Sequence, residues 1–373
     1  MVRCLGVVPG SHRLEEVMRP EPGMPGPGQV LLEVLECGIC GTDRGILASS
    51  HPLLPPGQKD LVMGHEPLAR VLAVGAEVRH LAPGDLATAT NQRSCGACEA
   101  CLGGDADLCL EAAGNGRGVG GMDGFLQPRL LDDAAWCVRV PSSLESVAVL
   151  TEPLAVGEKA LLALRHAQRR LGYSRWSLRA GMEDWAAGLR FGVGGAGPVG
   201  LLAALALRCH GADVAIFDRA PSEGAKARAA SSMGAVYVCT ADMDTRALRD
   251  AVGHLDAVVE ASGSAELAVA LWRALGANGA LVLIGWPGGP HPEMHPQALL
   301  GQALARNQVL VGTLASNPRH FQQALDDLAL ARLRFPHALE QFITARWDTA
   351  RAMESWDWAD HEAIKRVIRL AAR

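Results

Sequence analysis

Cys95, Cys98, Cys101 and Cys109 follow the spacing C-x2-C-x2-C-x7-C in a stretch rich in Gly and Ala. Four thiolates brought together on one loop match a closed tetrahedral zinc site, and a loop with so little apolar surface needs such a cross-link to hold its shape. A second set combines Cys40, in Cys37-Gly38-Ile39-Cys40-Gly41-Thr42-Asp43, with His65 and Glu66 in Gly64-His65-Glu66. A thiolate, an imidazole and a carboxylate leave one coordination position open to water or substrate, which separates catalytic zinc from structural zinc. Such an ion is a Lewis acid that brings the pKa of a bound hydroxyl from far above neutral towards ~7. Cys37 reads as a buried bystander, because a lone buried thiol is more often packing than chemistry. His51 reads as an exposed loop histidine, with help to a proton relay as the alternative.

A third chemical motif is Gly195-Ala196-Gly197-Pro198-Val199-Gly200, a G-x-G-x-x-G between a short strand and a helix. Gly195 permits the tight turn, Gly197 lets backbone approach a pyrophosphate, and Gly200 lets helix and strand pack closely, with the helix N-terminus facing the phosphates. The motif alone is weak. It gains weight from Asp218, which ends the next strand 18 residues after Gly200, where a carboxylate accepts hydrogen bonds from ribose hydroxyls. Asp218 favours NAD over a 2′-phosphorylated cofactor, whereas the adjacent Arg219 would pair with that phosphate, so NADP stays open.

The elements that must position these groups fall into two patterns. Short apolar runs such as 30–35 and 69–74, broken by Gly and Pro, predict a β-rich first half. From about residue 190 apolar strands alternate with helical stretches: strands at 190–193, 213–217, 256–260, 280–284 and 308–311, with helices starting at Pro198, Ser222 and Ala265. That alternation predicts βαβ units on a doubly wound parallel sheet. Helices near 318–333 and 349–355 and a strand near 364–370 close the chain, and an Arg- and Trp-rich stretch at 165–189 reads as an insertion.

Bulk properties narrow the function classes. A length of 373 residues favours two cores over one. A net charge of −5 with scattered Arg argues against nucleic acid as a partner. No apolar run approaches the ~20 residues of a membrane helix, and the first ten residues lack a signal-peptide pattern, so a cytoplasmic protein is expected. In that compartment ten cysteines are metal ligands, nucleophiles or core residues rather than disulfides.

Taken in order, these features resemble the zinc-dependent medium-chain alcohol dehydrogenase family, in its glucose 1-dehydrogenase-like branch. The resemblance rests on Cys-Gly-Ile-Cys-Gly-Thr-Asp-Arg at 37–44, Gly-His-Glu at 64–66, the cysteine loop, Met122-Asp123-Gly124-Phe125, Glu152-Pro153-Leu154-Ala155 and His320-Phe321-Gln322-Gln323-Ala324. It implies an α/β chain with a GroES-like β-rich catalytic domain (1–155 and 315–373) and a Rossmann dinucleotide-binding domain (156–314), with two zinc ions, one catalytic and one structural. It implies that Cys40 and His65 hold the catalytic zinc, with Glu66 and Glu152 as carboxylates that coordinate directly or through water. It further places Thr42 in a proton relay, Trp286 and Thr313 near the nicotinamide, Lys365 near the cofactor phosphates and Asn91 on substrate hydroxyls. The expected partners are a small alcohol or carbonyl substrate and further copies of the chain, as a homodimer or homotetramer.

The chain departs from the sugar-oxidising branch at Gly116, Ala305 and Ala315, where those enzymes carry a carboxylate, a His and an Asn. Polar anchors give strong discrimination between hydroxylated substrates, so their loss points to a modified sugar, cyclitol or biosynthetic alcohol, with glucose or another aldose as the alternative. Arg117 and Arg306 are weighed as contacts for an anionic or otherwise decorated substrate against a solvated surface role. A zinc-free reductase and a non-catalytic cofactor-binding protein are the competing readings, and the intact ligand sets speak against both.

Overall fold

The computed structural model describes the chain except residues 112–114, 173–175, 177–178, 180, 242, 244–252, 289–294, 355–361 and 371–373. Two compact units emerge: Met1–Ala155 with Ala315–Ala329 and Ile343–Arg373, and Val156–Leu314 with Leu330–Phe342. Residues 330–342 thus group with the second unit, although the sequence reading assigned everything after 314 to the first.

The first unit is built on the strand Gln29–Ile39, whose alternating Val30, Leu32 and Val34 point into the core while its last four residues are buried on both faces. It pairs antiparallel with Glu66–Val74 on one side and Lys365–Arg369 on the other, inside a seven-stranded sheet. The register sets Gly38 opposite both Glu66 and Val367. Three segments far apart in sequence therefore converge at one end of adjacent strands, just before Cys40. A three-stranded sheet of Glu15–Arg19, Val2–Val7 and Leu61–Val62 is fixed to this unit by Arg19, which ion-pairs with Asp60 and Asp123 at 2.6 Å each.

In the second unit six strands run parallel in the order Val236–Cys239, Asp213–Asp218, Arg190–Gly194, Leu255–Glu260, Leu275–Leu283, Val309–Gly312. The chain order reverses beside Arg190–Gly194, the switch point at which doubly wound sheets bind ligands. The helix Pro198–Cys209 starts with Pro in its first turn, where the missing N–H costs nothing, and buries an almost continuous Ala/Leu run. The helix expected from Ser222 begins at Ala225, after Gly224 as its N-cap, and Val236–Cys239 is a short strand that the sequence pattern did not reveal. The helix Thr151–Gln168 runs into the stretch expected to be an insertion. Beyond it, Trp176 and Trp185 stack edge-on against Phe191, and Arg165 sits over Trp185. That stretch thus packs onto the first strand of the parallel sheet. The helix expected over 349–355 is Thr349–Glu354, with Ser355 outside the described residues.

Candidate functional site

Cys40 follows the central strand directly and is the N-cap of the helix Gly41–Ala48. Its Sγ accepts the Thr42 N–H at 3.2 Å, while its own N–H donates to Asp43 Oδ2 at 2.9 Å, a reciprocal capping arrangement with sulfur in the place of a hydroxyl. The thiol is thereby aimed at His65 Nε2, 3.0 Å away. His65 is buried, and its Nδ1 faces the fully buried Asp43 carboxylate at 3.4 Å. The sequence motif by itself assigns Asp43 no role. Its place behind the ring, where it fixes the imidazole orientation and leaves Nε2 for a metal, is what a second-layer carboxylate does for a ligating histidine. Burial alone would lower the His65 pKa, but the Cys40 and Asp43 charges outweigh it and hold the pKa well above the usual histidine value.

Glu66 completes the donor set: one atom each of Cys40, His65 and Glu66 lie within 4.8 Å of one another. Its carboxylate passes so close to Gly38 that a Cβ there would fall 2.0 Å from Oε2. Lys365 Nζ, wholly buried, donates to both Glu66 oxygens at 2.7 and 2.6 Å and to the Ile39 carbonyl at 3.1 Å. The expectation that Lys365 reaches cofactor phosphates is therefore corrected. Its ammonium is enclosed in the first unit because Lys365–Arg369 pairs with Gln29–Ile39 and turns the side chain inward at Glu66. Desolvation would lower the lysine pKa, but Glu66, aided by Cys40 and Glu152, raises it and keeps the ammonium charged. Glu152, in the first turn of Thr151–Gln168, is buried beside this group but outside the close three-residue cluster. Burial, reinforced by Glu66, lifts its pKa from 4.5 to about 7.

Thr42 is exposed at the mouth of the set. His51 is exposed on a loop, with its backbone N–H on Ser49 Oγ. Cys37 is fully buried, and burial pushes its thiol pKa up, in keeping with a packing role.

The cysteine loop brings the sulfurs of Cys95, Cys98, Cys101 and Cys109 within 4.8 Å of one another. Cys98 and Cys101 lie 3.4 Å apart, Cys95 and Cys101 3.8 Å, and the Cys95 N–H donates to Cys109 Sγ at 3.4 Å. Only Cys109 is buried. A sulfur-only set closed on itself suits a tetrahedral ion, whereas the S, N, O set at Cys40 has an open side.

In the second unit Gly195 takes φ +92°, and a Cβ at Gly200 would meet the Gly195 carbonyl at 2.0 Å. A Cβ at Gly197 would meet nothing within 4 Å, and no side chain caps the helix that starts there at Pro198. Open space above free N–H groups at a helix N-terminus fits a phosphate. Ala196 completes the turn, and Val199 lies in the first turn of the helix Pro198–Cys209. Asp218 ends its strand facing this turn: Oδ2 accepts the Ala196 N–H at 2.7 Å, Oδ1 accepts the Ala220 N–H at 2.9 Å, and Lys226 Nζ stands 3.5 Å away. Sequence reasoning missed Lys226. Arg219 is exposed beside it. Trp286 and Thr313 line one cavity of about 500 Å³ with Glu260 and Gly263, whose neighbour Ser262 abuts Gly195.

The sequence-predicted substrate positions are divided between the two units. Asn91 and Gly116 are adjacent, since the Arg117 N–H donates to the Asn91 carbonyl and Gln92 bridges Gly116. Ala315 belongs to the first unit at φ +61°, while Ala305 is exposed at the end of Pro296–Ala305 in the second. Arg117 is spent internally: its guanidinium reaches Asp132 at 3.3 Å, donates to the Asp123 carbonyl at 2.9 Å and lies over Phe125. Arg306 donates to the Leu275 carbonyl.

Comparison with known proteins agrees with this architecture. Residues 26–142 match the alcohol dehydrogenase GroES-like domain, and residues 145–370 match the glucose dehydrogenase C-terminus. The chain belongs to the zinc-dependent medium-chain alcohol dehydrogenase family, in its glucose 1-dehydrogenase-like branch. It is 33% identical over 378 residues to a glucose 1-dehydrogenase of Methanocella arvoryzae, with 100% of both chains covered. It is 35% identical to glucose 1-dehydrogenase 1 of Caldivirga maquilingensis, with 99% and 98% covered. A crystal structure of a glucose dehydrogenase point mutant from Haloferax mediterranei superposes with a TM-score of 0.87 at 25% identity over 100% of both chains. The chain is accordingly an oxidoreductase acting on CH–OH groups. No helix among the described residues is long and apolar enough to cross a membrane.

Proposed function

We propose that this chain is an NAD(P)-linked dehydrogenase that oxidises a sugar hydroxyl, with the anomeric carbon of an aldose as the first substrate class to test. The observation that carries the reading is the convergence of Cys40, His65 and Glu66 at the end of the central strand. Full-length relatives that bear the name glucose 1-dehydrogenase support the aldose over the modified sugar, cyclitol or biosynthetic alcohol favoured from sequence. A related structure, glucose dehydrogenase of Haloferax mediterranei, is described in complex with NADP, Zn and gluconolactone.

Zinc held by Cys40 and His65 supplies Lewis acidity towards a substrate hydroxyl. The remaining work belongs to the side chains. Thr42, exposed above the set, accepts the hydroxyl proton and passes it outward. Asp43 keeps the His65 ring in one orientation. Lys365 anchors both oxygens of Glu66, leaving the buried Glu152 as the carboxylate of this group without such an anchor. Cys95, Cys98, Cys101 and Cys109 hold a second, structural zinc. The Gly195–Gly200 turn receives the pyrophosphate, and Trp286 and Thr313 flank the nicotinamide. Asp218 already spends both oxygens on backbone amides and faces Lys226, which moderates its repulsion of a 2′-phosphate, so Lys226 and Arg219 support NADP alongside NAD.

The modified-sugar reading keeps one support: Gly116, Ala305 and Ala315 offer no side-chain polar group to a sugar. Absorbance of reduced nicotinamide, followed with NAD or NADP and a panel of aldoses, deoxy and amino sugars, cyclitols and simple alcohols, decides between them. Turnover on plain glucose or galactose supports the aldose; silence there with turnover on decorated sugars supports the other; no turnover on any CH–OH compound sinks both.

We also infer a homo-oligomer. Val309–Gly312 is an edge strand of the parallel sheet, and Leu300, Leu304 and Leu314 are exposed in the same unit. Light scattering on purified protein tests it, and a monomer at micromolar concentration refutes it.

A further inference from the structure

A second cavity, of about 620 Å³, lies wholly in the first unit and is lined by no candidate metal ligand and no residue of the glycine-rich turn. Arg79 and His80 reach it from the loop after Glu66–Val74, Arg139 from the strand Cys137–Val140, and Arg319 and Gln322 from the first turns of the helix Pro318–Arg334. No carboxylate lines it, and among the described residues none of the three guanidinium groups has an ion-pair partner. The Arg79 guanidinium donates to the carbonyls of Ala76 and Val78, and His80 Nε2 lies 3.1 Å from the Ala134 carbonyl. Buried arginines of this unit are matched to acids, as Arg19 is to Asp60 and Asp123, and Arg93 to Asp132. Arg79, Arg139 and Arg319, all exposed, thus line one hollow from three separate elements with no acidic side chain in its lining. The helix Pro318–Arg334 starts at this hollow, with the Arg319 and His320 N–H groups capped by Asn317 Oδ1.

We propose that this cavity binds a phosphoryl group. A phosphoryl group carries nearly two negative charges at neutral pH and presents three acceptor oxygens, a match for several guanidinium forks that a singly charged carboxylate does not make. The hollow is far larger than a phosphate ion, so its shared chemistry extends to a phosphate monoester with a sugar-sized remainder. Occupancy bears on the cysteine loop. The Arg319 guanidinium packs so closely on Gly104, between Cys101 and Cys109, that a Cβ there would lie 2.2 Å from Nη2. The preceding Asn317 donates from its side chain to the Gly104 carbonyl and to Asp107.

The test is titration calorimetry on the zinc-loaded full-length chain without substrate or nicotinamide cofactor, so its outcome is independent of the dehydrogenase reading. Inorganic phosphate and a hexose monophosphate are the probes, at ionic strength held constant with chloride. Saturable binding of either is expected. Arg139→Gln and Arg79→Gln should each weaken it about tenfold or more, the loss of one charge-assisted contact, while Arg129→Gln, which breaks an exposed pair with Glu21 outside the cavity, leaves it unchanged. Equal affinity for both probes assigns the site to the free anion, and tighter binding of the ester shows that the rest of the cavity is used. Should a glutamine variant fail to fold, Arg139→Lys, which keeps the charge but loses the fork, should still weaken binding. No saturable heat at millimolar phosphate, or binding that the Arg79 and Arg139 variants leave unchanged, overturns the proposal.

Discussion

The two metal-ligand sets are built by opposite means. The Cys95–Cys109 set comes from one short loop with a single-turn helix and three of its four sulfurs at least partly exposed, so its geometry depends on what the sulfurs hold. The Cys40 set is drawn from sequence-distant segments, and sheet pairing fixes it before any ligand arrives: Gly38 opposite Glu66, and Lys365 turned in from the C-terminal strand. A loop site lends stability to its surroundings, whereas a sheet-borne site draws stability from them and can keep a coordination position open for chemistry.

The sharpest break of this comparison is a pair of variants with crossed consequences. Cys40→Ser keeps a good N-cap for Gly41–Ala48 but removes the soft ligand. It should lower kcat/KM by about 10³-fold or more, with metal content falling by one ion per chain and the unfolding midpoint little changed. Cys98→Ala should remove the other ion, leave the Cys40 set intact, and show up mainly as faster proteolysis around Gly103 and Gly104. If both variants lose activity and stability together, the two sites are not independent in the way their construction implies.

Next in size is the buried ion pair. Lys365→Met leaves Glu66 charged and unpaired in the core and should cost about 3–5 kcal/mol by urea denaturation. The double variant Lys365→Met with Glu66→Gln should recover most of that loss, because the penalty lies in the stranded charge rather than in the missing attraction. Equal destabilisation in both variants would mean that packing, not charge, sets the cost.

This pair also marks where sequence reading stopped. The cysteine loop was legible because its ligands are neighbours in the chain, and the glycine-rich turn because each glycine answers a local steric demand followed by an acid at a fixed distance. Gln29–Ile39 and the parallel strands showed through their apolar runs, whereas Val236–Cys239 was too short to stand out. Lys365 was misplaced because nothing local distinguishes a lysine at a strand start that meets Glu66 from one that meets solvent; only the register with Gln29–Ile39 decides it. Asp43 and Lys226 were passed over for the same reason, since each acts on a partner, His65 or Asp218, that the fold supplies.

Glu152 gives a third, smaller test, in protein stripped of metal. An acid whose pKa rises from 4.5 unfolded to about 7 folded holds its proton more tightly in the native state. Its contribution is therefore most favourable below the unfolded value, declines as pH climbs between the two, and stays unfavourable above the folded one. Glu152→Gln should flatten that decline and stabilise the metal-free chain by about 2–3 kcal/mol above pH ~7.5. A stability profile between pH ~4.5 and ~7 that is unchanged by the substitution would place the carboxylate in a more polar setting than its burial indicates.

The smallest expected effect concerns the segment that braces the cysteine loop. Ala315 adopts φ +61°, the left-handed region in which a Cβ costs about 1 kcal/mol and which Asn tolerates better than Ala. Directly after it, the buried Ser316 and Asn317 lead into the helix Pro318–Arg334, with the Asn317 side chain on Gly104 and Asp107. Ala315→Asn should therefore stabilise the protein by about 0.5–1 kcal/mol and slow hydrogen exchange in the loop around Gly104, without altering metal content at the Cys40 set. The same substitution places a side-chain amide at a position the sequence comparison assigned to sugar contact, so a lower KM for glucose at unchanged kcat would tie that position to the substrate. If Tm rises and KM stays fixed, the residue serves only the brace; if Tm falls, the left-handed turn is set by contacts that an asparagine disrupts, and the loop depends on that alanine.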